Sequence, residues 1–236
     1  MTSTNFIDGV TNVAEGAALG SFIMPDPSSA HVWFDDFDSY AAGDWVITTT
    51  EAGAGNAGEA LISADGGILV LTNDDADDDN DFLQWAGGAG AVIESFRFQA
   101  GKKLWFKARF KVSDATQSDI VMGLQITDTS PLAVTDGVYF LKADGSTSLQ
   151  CLVTKNSTSS TLATAATLAD DTYVAVGFYY DGEQSVQVFA NDVRAGTLPV
   201  TNLPDDEDLT ISFGIQNGSA GAKTMSIDYI FAAKQR

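Results

Sequence analysis

Along residues 104–112 apolar and polar positions alternate without a break. Leu104, Phe106, Ala108, Phe110 and Val112 fall on one side, and Trp105, Lys107, Arg109 and Lys111 on the other. A period of two is that of an extended strand with one face on a core. The same period sets Leu209, Ile211, Phe213 and Ile215 against Thr210, Ser212, Gly214 and Gln216, and Met225, Ile227, Tyr229 and Phe231 against Thr224, Ser226, Asp228 and Ile230. Shorter runs predict strands at 45–50, 68–72, 94–99, 120–127, 138–142, 149–155, 158–163, 173–180 and 185–190. The Ala- and Thr-rich stretch 162–169 reads as strand passing into loop. Between the runs stand Asp65-Gly66, Asp144-Gly145, Asp181-Gly182 and Asn217-Gly218. These are hairpin dipeptides, because Gly and Asx accept positive φ. No capped helix is legible. About a dozen short strands at this spacing predict an all-β, antiparallel fold, with two packed sheets as the natural solution.

Residues 1–31 follow neither period. Phe6, Ile7, Phe22, Ile23 and Met24 stand among Gly, Ala, Asn and Pro. Leaving such side chains in water costs roughly 1.5–3 kcal/mol each. The segment therefore reads as an extended arm (1–31) that packs on another surface, ahead of one sandwich domain (32–236). The alternative is a disordered tail.

Composition narrows the partners. The chain has 236 residues, 44% of them hydrophobic, which is enough for a sizeable core. The formal net charge of −20 disfavours nucleic acid and anionic membrane as general partners. No apolar run is long enough to span a bilayer. The first residues lack the basic and apolar regions of a secretory signal, so synthesis in the cytoplasm is the expectation. The single cysteine, Cys151, lies in an apolar run and reads as a small hydrophobe rather than a nucleophile. The single histidine, His31, reads as a surface residue at the junction of arm and sandwich. One Cys and one His cannot build an ordinary zinc site, and a His-based triad has no convincing members. Gly87-Gly88-Ala89-Gly90 lacks the Gly-Lys-Ser/Thr ending of a phosphate loop.

Three features carry binding chemistry. The first is the acidic run from Asn73 to Asp81, which includes Asp74, Asp75, Asp77, Asp78 and Asp79. Asp75, Asp77 and Asp79 stand at alternate positions, as oxygen ligands of calcium do, but Asn80 replaces the turn glycine of an EF-hand and no glutamate closes the loop. The alternative is a solvated acidic loop. The second is charge asymmetry: Arg97, Lys102, Lys103, Lys107, Arg109 and Lys111 make up half of the twelve basic residues. Lys107, Arg109 and Lys111 share one face of their strand beside Trp105. A basic stripe on an acidic protein reads as a docking edge for an acidic partner surface, or as residues paired with carboxylates on neighbouring strands. The third is the set of aromatics that alternation offers as platforms for sugar rings: Trp45, Trp85, Trp105, Tyr179 and Phe189. Each has core packing as its alternative.

Trp33-Phe34-Asp35-Asp36-Phe37 as an opening strand, the Tyr180-Asp181-Gly182 hairpin leading into Val186-Gln187-Val188-Phe189-Ala190-Asn191-Asp192, and the closing Ile227-Asp228-Tyr229-Ile230 together resemble the concanavalin A-like lectin/glucanase jelly roll over residues 32–236. With the arm containing Phe22-Ile23-Met24-Pro25-Asp26-Pro27, the whole chain also resembles structural proteins of tailed bacteriophages that share this fold. The resemblance implies a non-enzymatic decoration or cement protein on the capsid exterior. It would be a homo-oligomer, by family habit a trimer, with the major capsid protein as partner. The contact residues would be Phe6, Ile7, Phe22, Ile23 and Met24 of the arm and Lys102, Lys103, Trp105, Lys107, Arg109 and Lys111 of the stripe. A lectin-like module for surface glycans, with or without calcium, is the alternative. The glucanase branch carries Glu-x-Asp-x-x-Glu on one strand. Glu15, Glu51, Glu59, Glu94, Glu183 and Glu207 nowhere meet that pattern, so hydrolysis is not expected.

Overall fold

The computed structural model describes residues 30–236 apart from 56, 65 and 88–92. Fifteen strands are described: β1 (Ala30–Asp35), β2 (Trp45–Thr50), β3 (Gly58–Ala64), β4 (Gly66–Thr72), β5 (Asn80–Trp85), β6 (Leu104–Val112), β7 (Ser118–Gln125), β8 (Gly137–Lys142), β9 (Ser148–Lys155), β10 (Thr158–Thr167), β11 (Val174–Tyr180), β12 (Ser185–Ala190), β13 (Val193–Pro199), β14 (Thr210–Asn217) and β15 (Thr224–Gln235). The helical elements among the described residues are three short 3-10 turns.

The strands form two antiparallel sheets. The first has the order β13-β12-β11-β6-β15-β4-β3, with β1 also paired to β15, and the second β10-β9-β8-β7-β14-β5-β2. The alternation of β6 is realised residue by residue. Leu104, Phe106, Ala108, Phe110 and Val112 are buried between the sheets, and the intervening residues are half-buried on the outer face. Facing them from the second sheet are Ile120, Met122, Leu124, Val138, Phe140, Cys151, Ile211, Phe213 and Ile215. At the turn between β11 and β12, Asp181 accepts N–H bonds from Glu183, Gln184 and Ser185 and a bond from the Ser185 hydroxyl. Burial opposes its charge, yet these donors hold the carboxyl down at about 2.

Four expectations need correction. Residues 94–99 form no strand; their backbone pairing is limited to isolated bridges, Phe96 to Leu209 and Gln99 to Lys102. Their alternation is real, since Phe96 and Phe98 both point into the core, but no neighbour runs alongside to build a ladder. The acidic run is not one loop, because β5 begins at Asn80. The strand expected at 158–163 runs on as β10 to Thr167, across a register shift between Leu162 and Ala166, so that 162–169 passes from strand into loop as read. In β15 the register slips between Ile227 and Tyr229, so Met225 and Ile227 face the core but Tyr229 and Phe231 do not. Ile230 and Ala232 take over the core face. A bulge inserts one residue and exchanges the two faces beyond it. β3, β5 and β13 went unread in the sequence, β3 because most of its residues are exposed and show no clean alternation.

The outer face of the second sheet is covered. Phe82, Val121, Tyr139 and Leu152 are buried there under Val134, with Ile126 and Leu132 beside them. The cover is the segment 126–136, held by polar bonds. Gln84 donates to the Ile126 carbonyl and accepts from the Asp128 N–H, and Gln125 donates to the Pro131 carbonyl. Glycines let the rings lie close to the sheet. A Cβ on Gly214 would stand 2.4 Å from Phe82 Cδ1, and one on Gly123 2.6 Å from Tyr139 Cβ.

Candidate functional site

Among the described residues nothing covers the outer face of the first sheet around β6 and β11. Trp105 pairs across β6 and β11 with Tyr179, and Lys107 with Gly177. On the far side Gly177 pairs with Phe189 of β12, and Tyr179 with Gln187. On the near side Lys107 pairs with Phe231 of β15. Gly177 therefore sits at the centre of a ring of large side chains and leaves a depression. A Cβ there would stand 2.7 Å from the Phe106 carbonyl oxygen, so the strands are also drawn close at this point. The result is a groove of roughly 660 Å³, floored by Gly177 and Ala175 and walled by Trp105, Tyr179, Phe189 and Phe231. The volume falls within the range of small-molecule sites. The Trp105 and Tyr179 rings lie 5.5 Å apart, tilted by 32°.

The rim is polar. Lys107 Nζ reaches Asp192 Oδ1 at 2.6 Å, and Gln187 and Lys103 line the edges. Burial opposes the Lys107 charge, but Asp192 and Tyr229 outweigh it and hold the ammonium above its ordinary range. The other stripe residues are engaged as well. Arg109 pairs with Asp228 and lies over the Tyr173 ring, and Lys111 meets Asp171 at 3.6 Å. Lys102 donates to the Arg236 carbonyl, and the backbone of Lys103 pairs with Gln235. Lys107, Arg109 and Lys111 thus take carboxylate partners from their own chain, whereas Lys102 and Lys103 meet backbone and amide groups. Phe6, Ile7, Phe22, Ile23 and Met24 lie outside the described residues.

Of the five aromatics offered as platforms, Trp105, Tyr179 and Phe189 meet in this groove. Trp45 and Trp85 do not; they join Trp33 and Phe213 in an edge-to-face cluster against the core. Phe231 was missed because the slip in β15 is silent in the hydrophobic pattern. Asp192 is the groove's carboxylate, and it is bound to Lys107.

Elsewhere, His31 is half-buried against Phe96, with Nε2 3.2 Å from Ser95 Oγ, and its pKa is lowered by burial, Lys234 and Arg236. Cys151 is fully buried, which pushes its thiol far up. In the acidic run, Asp79 turns inward and accepts N–H bonds from Ala52, Gly53 and Ala76, while Asp75 accepts one from Ala54. Among the described residues no three His, Cys, Asp or Glu side chains are placed to share a metal ion.

No protein-family model matches this sequence, and no curated protein matches it. Solved structures do. A glycoside hydrolase family 16 enzyme of Bacteroides ovatus, from a mixed-linkage glucan utilisation locus and in complex with a product, superposes with a TM-score of 0.59. The identity is 14%, over 85% of this chain and 99% of the enzyme. The Emp47p carbohydrate recognition domain gives 0.56 at 13% identity, over 88% and 98% of the two chains. The fold is the concanavalin A-like jelly roll. A jelly roll of unknown function from Shewanella oneidensis MR-1 gives 0.58 at 15% identity, over 88% and 87%. At these identities the likeness concerns the fold alone.

Proposed function

We propose that this jelly roll is a non-enzymatic glycan-binding protein that seats its ligand in the groove over Gly177. The observation that carries this reading is the meeting of Trp105, Tyr179, Phe189 and Phe231 around one open depression with a polar rim. A pyranose has an apolar face of C–H groups and an equator of hydroxyls. Aromatic walls suit the first, and Gln187, Asp192 and Lys103 suit the second. Glycoside cleavage calls for two carboxylates about 5–10 Å apart. The groove offers Asp192, already paired with Lys107, and so supports binding without hydrolysis. The test is a glycan array followed by calorimetry on the best ligand. Ala175→Trp, which fills the floor, is expected to abolish binding while the fold persists. Unchanged binding by that variant, or release of reducing ends from the ligand, would overturn the reading.

A second reading, compatible with the first, places the chain on a capsid exterior as a decoration protein clamped to the major capsid protein. The specific support is Phe34. It is 58% exposed on β1, opposite Phe231, and five residues after residue 29. An exposed Phe beside the root of an apolar-rich segment marks a contact surface. Saturable co-sedimentation with phage capsids, lost when residues 1–29 are removed or Phe34 becomes Ser, is expected. No co-sedimentation by the intact chain would sink it.

A further inference from the structure

The connection from β2 to β3 carries the chain from the second sheet to the first around one edge of the sandwich. Two carboxylates at the start of β5, next to this connection, behave in opposite ways. Asp79 accepts three backbone N–H bonds, two of them from Ala52 and Gly53 of the connection itself, and its pKa is lowered by them. Asp81, two residues on, is 1% exposed, and neither of its oxygens has a hydrogen-bond partner among the described residues.

The surroundings of Asp81 offer no positive charge. On its own sheet it stands opposite Thr49 of β2 and Ile215 of β14. Glu51 opens the connection and Glu59 lies on β3. Burial first, then Glu59 and Glu51, push the Asp81 carboxyl up to about 7. The Tyr40 hydroxyl is buried nearby without a hydrogen bond of ordinary geometry, and burial, Glu59 and Asp81 all raise its pKa. An ionised, buried carboxylate without donors is strongly disfavoured. A proton would neutralise this corner, and among the described residues no three His, Cys, Asp or Glu side chains are placed to hold a metal ion there.

We propose that the connection between β2 and β3 is a proton-operated latch, shut while Asp81 carries its proton and loosened when that carboxyl ionises beside Glu51 and Glu59. β3 is the element that yields. It is an edge strand paired with β4 alone, and both Leu61 and Ile62 are exposed on it. Little packing opposes its release.

The direction follows from linkage. The closed form binds the Asp81 proton more tightly than an opened form in which water reaches the carboxyl. Opening therefore grows as pH rises from about 4 to about 7, by up to tenfold per unit, and levels off above that. Hydrogen exchange on the full chain, corrected for intrinsic rates, reads this directly. Between pH 5 and pH 8 the opening of amides in 50–55 and 57–62 is expected to grow about a hundredfold, while amides of β7 and β14 keep their protection. Asp81→Asn, neutral and of the same shape, should flatten the profile, and Glu59→Gln should reduce its span. Equal opening at both pH values, or an Asp81→Asn profile as steep as the parent's, would overturn the latch. Closure of the parent at pH 8 by added calcium would also overturn it, by making the corner a cation site.

Discussion

Each sheet turns an aromatic surface away from the shared core, and the two surfaces have met opposite fates. On the second sheet Phe82 and Tyr139 pack against glycines, and the segment 126–136 closes above them with Val134 and Leu132. On the first sheet Trp105, Tyr179, Phe189 and Phe231 surround a glycine and nothing described lies above them. The distinction is in the polar groups. Gln84, Gln125 and Ser212 form a buried chain of hydrogen bonds that ties the cover to the second sheet. On the first sheet the polar groups stand at the rim and face water. Aromatic area sealed by satisfied hydrogen bonds contributes stability, whereas the same area left open stays available to a ligand.

Substitutions can break this contrast. The largest effect is expected from Phe82→Ala. It removes a buried ring from under the cover and should destabilise the protein by about 3–5 kcal/mol in urea unfolding. Val134→Asp, which places a charge in the same apolar layer, should act in the same direction. Next comes Trp105→Ala in the open groove. It should lower glycan affinity by about tenfold or more, with a stability change under about 1 kcal/mol. If Trp105→Ala destabilised the fold as much as Phe82→Ala, the groove would be core rather than site. The smallest effect is expected from Asp192→Asn. Its ion pair with Lys107 is exposed, so unfolding should shift by less than about 1 kcal/mol. Because Asp192 lies on the rim, ligand affinity should shift more than stability does.

The period-two runs made the all-β class and most of the strands legible, since a half-buried strand writes its burial into alternate residues. β6 is the clearest case, and it placed Trp105 on the correct face. Legibility failed where burial does not alternate. β5 is buried on both faces because the cover lies over it, and β3 is exposed on both. It failed again at Asp228, where one extra residue reversed the faces of β15 and hid Phe231 from the groove. Residues 94–99 show the converse: alternation driven by the core without a strand neighbour. The acidic run concealed Asp81, whose importance depends on burial that no run of like residues announces.

The central position of β15 has a consequence for how the chain is made. Its residues bond to β6 along one edge and to β4 and β1 along the other. Until 224–235 have emerged from the ribosome, these three strands have no common neighbour and the first sheet is in three pieces: β13-β12-β11-β6, β4-β3 and β1 alone. The second sheet, by contrast, is already complete once β14 has emerged. Docking of the nascent first sheet must therefore wait for the closing segment, with apolar faces of β4 and β6 exposed in the interval. Stalled or truncated products that lack 224–235 are expected to aggregate, whereas a fragment comprising 224–235, added as a peptide during refolding, should complement them.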